Sequence, residues 1–99
     1  MGTKPRSKPG RLAAKLLQIR QRLGLSQSKL AKLLDFTIKQ SVPRVSEFEN
    51  GVREPDLFLL LRYARLIGVP VDVLIDDELD LPEQISLKRA TKEKLIRSF

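Results

Sequence analysis

The chain is 99 residues long, enough for one small domain with tails, and its 41% apolar content supports one modest core. It has no Trp, His or Cys, which removes thiol chemistry, His-based acid–base catalysis and most familiar metal sites. No catalytic residue, metal or cofactor is therefore expected, and the absence of disulfides suits a reducing cytoplasm. The formal charge of +7 is segregated: residues 1–53 carry +9, residues 54–80 carry −5 and residues 81–99 carry +3. A basic half with an acidic back is the footprint of a protein that binds a polyanion.

Residues 1–10 (MGTKPRSKPG) hold basic, Pro and Gly residues and no apolar run, so they read as a flexible basic arm rather than a secretory signal. From Arg11 the pattern changes. Leu12, Leu16, Ile19 and Leu23 form one stripe of an amphipathic helix, with Lys15, Arg20 and Arg22 off the stripe and Gly24 as the stop. Ser26 is a predicted N-cap for a second helix over Gln27 to Leu34, with Leu30, Ala31 and Leu34 inward and Lys29 and Lys32 outward. The stretch DFTIKQ then reads as a long turn that tucks Phe36 or Ile38 inward. A third helix starts near Ser41 or Val42, with Pro43 in its first turn, where a missing N–H costs nothing. Val45 and Phe48 anchor that helix, and Gly51 closes it.

Asp56 is the predicted N-cap of the most apolar helix, Leu57 to Ile67, whose expected inner face is Leu57, Leu60, Leu61, Ala64 and Ile67. Pro70 opens a short fifth helix through Val71, Leu74 and Ile75. Asp76, Asp77, Glu78 and Asp80 read as a solvated acidic run. The domain is thus expected over residues 11–79, with residues 80–99 a tail, helical in part or packed on a partner subunit. The longest apolar run, Leu57–Leu61, is far too short to cross a bilayer, and no membrane association is expected.

The segments LLQIRQRLGLSQSKLAKLL and VSEFENGVREPDLFLLLRYARLIGVPVDVLI resemble the helix-turn-helix repressors of the lambda repressor and Cro type, the xenobiotic-response-element family. The resemblance covers about residues 11–76. It implies an all-α, five-helix, lambda-repressor-like DNA-binding domain. Leu30 stands 18 residues before Phe48, farther than in the usual pattern of the family, so the turn inside the helix-turn-helix is extended. The resemblance further implies a phosphate contact by Gln27, and contacts by Asn50 and Arg53 after the third helix.

The physical logic stands beside it. A helix fits the major groove, and its N-terminal residues reach base edges. Arg44 is the candidate to pair with guanine, an interaction worth roughly 1–3 kcal/mol of base discrimination. Glu47 is a candidate acceptor from cytosine or a brace for Arg44, and Val42 a candidate for a thymine methyl. Ser41 and Pro43 complete the helix tip. Lys39 and Gln40 are candidates for backbone contact. Lys4, Arg6, Lys8 and Arg11 are candidates for an arm that wraps the duplex. Arg53 is equally a partner for Glu49 or Glu54.

Phe58, Leu59 and Val73 stand where the family usually shows polar or charged residues, which leaves apolar surface to cover. A homodimer through the fourth and fifth helices is the first reading. Packing by Ile85, Leu87, Leu95, Ile96 and Phe99 of the tail is the rival. The expected function is sequence-specific binding of double-stranded DNA by a dimeric repressor. The alternative is an antitoxin-type module that neutralises a partner protein and autoregulates its operon.

Overall fold

The computed structural model describes residues 10–34 and 41–88. Five helices follow in chain order: α1 Leu12–Leu23, α2 Gln27–Leu33, α3 Ser41–Glu49, α4 Leu57–Ile67 and α5 Asp72–Ile75. Among the described residues there is no strand. Residues 35–40, where the extended turn is expected, lie outside the described residues, as do Phe36, Ile38, Lys39 and Gln40.

Local chemistry sets the ends. Gly24 turns α1 off at φ 69°, a left-handed geometry that a Cβ would strain, so its N–H can reach the carbonyl of Gln21. Ser26 Oγ accepts from the Lys29 N–H at 3.1 Å and starts α2. Asp56 Oδ1 accepts from the Leu59 N–H at 2.9 Å and starts α4. Each such cap is worth about 1 kcal/mol. Helix α2 ends one residue earlier than expected, with Leu34 as its C-cap.

The core gathers one stripe from each helix. Leu12, Leu16 and Ile19 of α1 meet Leu30 and Ala31 of α2, Val45 and Phe48 of α3, and Leu74 of α5. Helices α2 and α3 pack directly on each other, and α1 crosses α3. Burying a Leu or Ile side chain fully contributes about 1.5–3 kcal/mol, so this shared stripe is what holds the short helices together. Truncating Leu30, which has no exposed surface, costs roughly 2–5 kcal/mol.

Three expectations need correction here. The inner face of α4 is Leu60, Tyr63, Ala64, Leu66 and Ile67, whereas Leu57 is 80% exposed. The Tyr63 ring and Leu66 pull that face round, so the first residue after the cap points to solvent. Lys15 is buried, not solvated: its stem lies in the core and its Nζ donates to the carbonyls of Val73 and Asp76, each at 2.8 Å. Lys29 is half-buried where an outward position was expected.

Residues 81–88 contain no helix and lie against the body of the domain. Leu81 is buried, and Ile85 and Leu87 pack on the core. The Lys88 N–H donates to the Leu66 carbonyl at 3.0 Å, and Arg22 donates to the Pro82 carbonyl at 2.9 Å. Leu95, Ile96 and Phe99 lie outside the described residues.

Candidate nucleic-acid interface

Helix α3 shows which side chains can meet a ligand. Val45 and Phe48 are buried, as their spacing predicts. At 3.6 residues per turn, Pro43, Glu47 and Asn50 share the line facing away from those anchors, and Arg44 and Ser46 flank it. Pro43 and Asn50 are exposed, and Arg44, Ser46 and Glu47 are half-buried. Arg44 thus sits on a flank of the helix rather than at its front, with part of its surface open. Ser41 and Val42 are the first two residues of the helix.

The end of α3 is braced locally. The Asn50 amide donates to Ser46 Oγ at 3.4 Å. Gly51, at φ 75°, turns the chain so that the N–H groups of Val52 and Arg53 reach the Glu47 carbonyl. Arg53 Nε lies 3.3 Å from Glu47 Oε1, with the two side chains 50% and 36% exposed. The pairings expected for Arg53 are with Glu49 or Glu54; the partner found is Glu47, and Glu49 is held by Arg20 and Gln27. An exposed pair of this kind contributes about 0–1 kcal/mol and leaves both groups free to exchange partners.

Glu49, the last residue of α3, is the hub of a buried network. Its side chain is only 3% exposed. Oε2 accepts from Arg20 Nε of α1 at 2.7 Å, and Oε1 accepts from Gln27 Nε2 of α2 at 3.2 Å. Arg20 also donates to the Leu25 carbonyl at 2.9 Å. One carboxylate thus ties α3 to both of its predecessors. Because a carboxylate only accepts, the amide nitrogen of Gln27 must face it. Gln27 is half-buried and keeps one amide N–H for another acceptor.

Tyr63 of α4 is wholly buried, and its hydroxyl has no hydrogen-bond partner among the described residues. Leaving such a donor unpaired costs about 1–3 kcal/mol. Burial pushes this hydroxyl well above the usual phenol range. The Glu49 charge adds to the shift and Arg20 opposes it.

The acidic run is not merely solvated. Asp77 accepts the backbone N–H groups of Gly10 and Arg11 at 2.8 and 2.9 Å. These bonds, that of Arg11 first, hold its carboxyl below the usual 3.8. The Arg11 guanidinium donates to the Asp77 carbonyl at 2.7 Å and to Asp80 at 2.6 Å. Arg11, expected in the arm, is therefore drawn to the acidic turn, and the chain is held from Gly10 onward. Lys4, Arg6 and Lys8 lie outside the described residues.

Phe58 is 76% exposed, whereas Leu59 and Val73 are half-buried and pack on the core. Among the described residues, the large apolar side chains most open to solvent are Leu57, Phe58 and Val52, the last 74% exposed, with Ile75 and Leu79 partly open. Val52 sits just after α3, and Leu57 and Phe58 at the start of α4. Nearby, a shallow cleft between α1 and this turn is lined by Leu12, Ala13, Phe48, Gly51, Arg53, Glu54 and Pro55.

The sequence reading missed Ser46, Val52 and Tyr63, and considered Glu49 only as a partner of Arg53. Helical spacing could have placed Ser46 beside Arg44. Nothing local could have paired Glu49 with residues 29 and 22 positions away. Among the described residues, no cluster of His, Cys, Asp or Glu could hold a metal ion, and no helix is long and apolar enough to cross a membrane. A helix-turn-helix family model, HTH_3, matches residues 16–74. No match was found among curated proteins or among solved structures.

Proposed function

The chain belongs to the helix-turn-helix family of the lambda repressor and Cro type, and on that premise we propose that it is a sequence-specific, double-stranded-DNA-binding transcriptional regulator acting as a dimeric repressor. The family makes it a DNA-binding protein. The observation that carries the finer reading is the anchoring of α3. Val45 and Phe48 bury one side of that helix, Glu49 locks its end to α1 and α2, and Pro43, Glu47 and Asn50 are left facing out. A helix held this rigidly can present the same atoms to successive base edges.

In this reading α3 enters the major groove with Ser41, Val42 and Pro43 leading. Arg44 reads a guanine from the flank, and Glu47 either accepts from a cytosine or holds Arg53 against the backbone. Gln27, Lys39, Gln40, Asn50 and Arg53 grip phosphates. Lys4, Arg6 and Lys8 extend the grip through the arm. Leu57 and Phe58, exposed at the start of α4, are the surface by which two copies meet. Leu59 and Val73 support it from below. Two α3 helices then read half-sites about 34 Å apart on a palindromic operator.

Selection of bound duplexes from a random pool tests this directly. A sharp, two-fold symmetric motif is expected, and an unstructured pool would overturn the reading. Arg44→Ala should relax the preference at one position. A uniform loss over all sequences would assign Arg44 to phosphate instead. The same apolar surface also suits the antitoxin-type alternative, in which it covers a partner protein. Co-purification of one stoichiometric partner from the native host would favour that alternative over the homodimer.

A further inference from the structure

Helix α1 begins without a cap of its own. Arg11 stands at its N-cap position and makes no side-chain cap bond, and the first turn holds no acidic residue. The missing acceptor comes from 66 residues away. Asp77 takes the Gly10 N–H on Oδ2 at 2.8 Å and the Arg11 N–H on Oδ1 at 2.9 Å. One carboxylate thus both caps α1 and places negative charge at its N-terminus, where the helix dipole favours it. The Arg11 side chain doubles the hold, donating to the carbonyls of Asp77 and Leu79 and to the carboxylate of Asp80.

The acidic turn is itself a firm support. The Asp76 N–H bonds to the Asp72 carbonyl at 2.8 Å and closes α5. Asp76 in turn accepts from the N–H groups of Leu79 and Glu78, at 3.0 and 2.9 Å. Lys15, in the first turn of α1, donates to the Asp76 carbonyl, and Leu81, just past the acidic turn, is buried. One short segment therefore grips the chain at Gly10, Arg11 and Lys15. Gly10 suits this place, since a Cβ there would lie 3.2 Å from Asp77 Oδ2. Without Asp77, that glycine would be the freest link in the region and would act as a swivel.

We propose that Asp77 is a positioning residue for DNA binding: it pins Gly10 and Arg11 and so sets the direction in which the basic arm leaves the domain. The proposal rests on Lys4, Arg6 and Lys8 as DNA contacts. Asp77 carries the wrong charge to attract phosphate, so it helps binding only through the arm. A segment that leaves from a fixed root has less freedom to lose on binding than one that leaves from a swivel. Nine residues span at most about 30 Å, so the direction of departure decides which part of a duplex they reach.

The test compares the full chain with one lacking residues 1–9, each with and without Asp77→Asn. A mixed-sequence DNA duplex is titrated over a range of salt, and circular dichroism checks that each protein is folded. Asp77 is exposed, so its replacement leaves the core intact. Removing residues 1–9 is expected to weaken binding about tenfold at low salt in the wild type. In the Asp77→Asn background the same deletion should cost only about two- to threefold. Without residues 1–9, Asp77→Asn should bind as well as its parent or slightly better, because one repelling charge is gone. Asp80→Asn removes the same charge but spares both backbone bonds, so the arm's contribution should stay within about twofold of wild type. If Asp77→Asn lowers affinity equally with and without residues 1–9, Asp77 is merely structural and the proposal is overturned. An Asp80→Asn effect as large as that of Asp77→Asn would overturn it too, since charge alone would then explain the coupling. So would a gain in affinity on Asp77→Asn confined to the full chain, because the acidic turn would then be competing with DNA for the arm. If deleting residues 1–9 leaves wild-type binding unchanged, the arm is no DNA contact, and the proposal falls with that reading.

Discussion

Glu49→Ala should be among the most destabilising single changes in the domain. The substitution removes a carboxylate that is 3% exposed and leaves Arg20, 19% exposed, without its counter-charge. Removing one member of a buried pair costs about 3–5 kcal/mol, because the remaining charge stays desolvated. Arg20 keeps its bond to the Leu25 carbonyl and some contact with water, which places the expected loss near the lower end, about 3 kcal/mol. In a domain of this size each kcal/mol shifts the melting temperature by about 4–8 °C, so a drop of roughly 12 °C or more is expected. Urea unfolding followed by circular dichroism should show a lower midpoint at an unchanged slope. Arg53→Ala is the internal comparison. It removes the exposed 3.3 Å pair with Glu47 and should cost about 0–1 kcal/mol. Replacing both buried partners, as Arg20→Met with Glu49→Leu, should recover most of the loss, because no buried charge is then left alone. If Glu49→Ala costs no more than Arg53→Ala, the network is not the clamp described above.

Other tests reach other parts of the molecule. Asp77 binds two backbone N–H groups as a carboxylate, so its folded pKa lies below its unfolded value. The stability it adds is present above the unfolded value and is lost as pH falls through the folded one. Asp77→Asn should therefore flatten the melting profile below about pH 4, converging with wild type at the acid end; an unaltered profile would refute the contact. Replacing Leu57 and Phe58 together by Glu should convert a dimer to single protomers in sedimentation. A wild-type protein already monomeric at micromolar concentration would refute that interface. Deleting residues 1–9 removes Lys4, Arg6 and Lys8 and should reduce the salt slope of DNA binding by up to about 0.9 per phosphate released. Arg11→Ala should change the slope little, since Asp80 already holds its charge.

The places where sequence was informative are those where one residue decides one local event. Ser26 and Asp56 cap the helices they precede, and Gly24, Gly51 and Gly68 stop helices at positive φ. The spacing of Val45 and Phe48 alone identifies the buried side of α3. Helix α4 shows where this fails. Leu57 to Leu61 is apolar throughout, so the run carries no phase, and the inward face is set by Tyr63 and Leu66 further on. Lys15 shows a second kind of failure. A lysine off an apolar stripe reads as solvated until the end of α5, 58 and 61 residues later, supplies two carbonyls for its ammonium.

The charge segregation has a structural use beyond attraction to DNA. An acidic segment far from a polyanion would be neutral to binding or mildly helpful. Here it also closes the fold, because Asp77 and Asp80 hold Gly10 and Arg11, and Lys15 holds the end of α5. The start of α1 is thereby fixed, and Ala13 lies against Gly51 at the turn after α3, where any Cβ would meet it at 3.7 Å. The first turn of α1 is therefore set beside the turn that carries Asn50 and Arg53. Charge that would otherwise be spread along the chain is in effect sorted. Lys15 is consumed in building the domain and Arg11 is held by several bonds to the acidic turn, whereas Arg44 is half-buried and Arg53 is held only by its exposed pair with Glu47. A count of lysines and arginines therefore overstates the basic face, because some of those cations are held by partners within the fold.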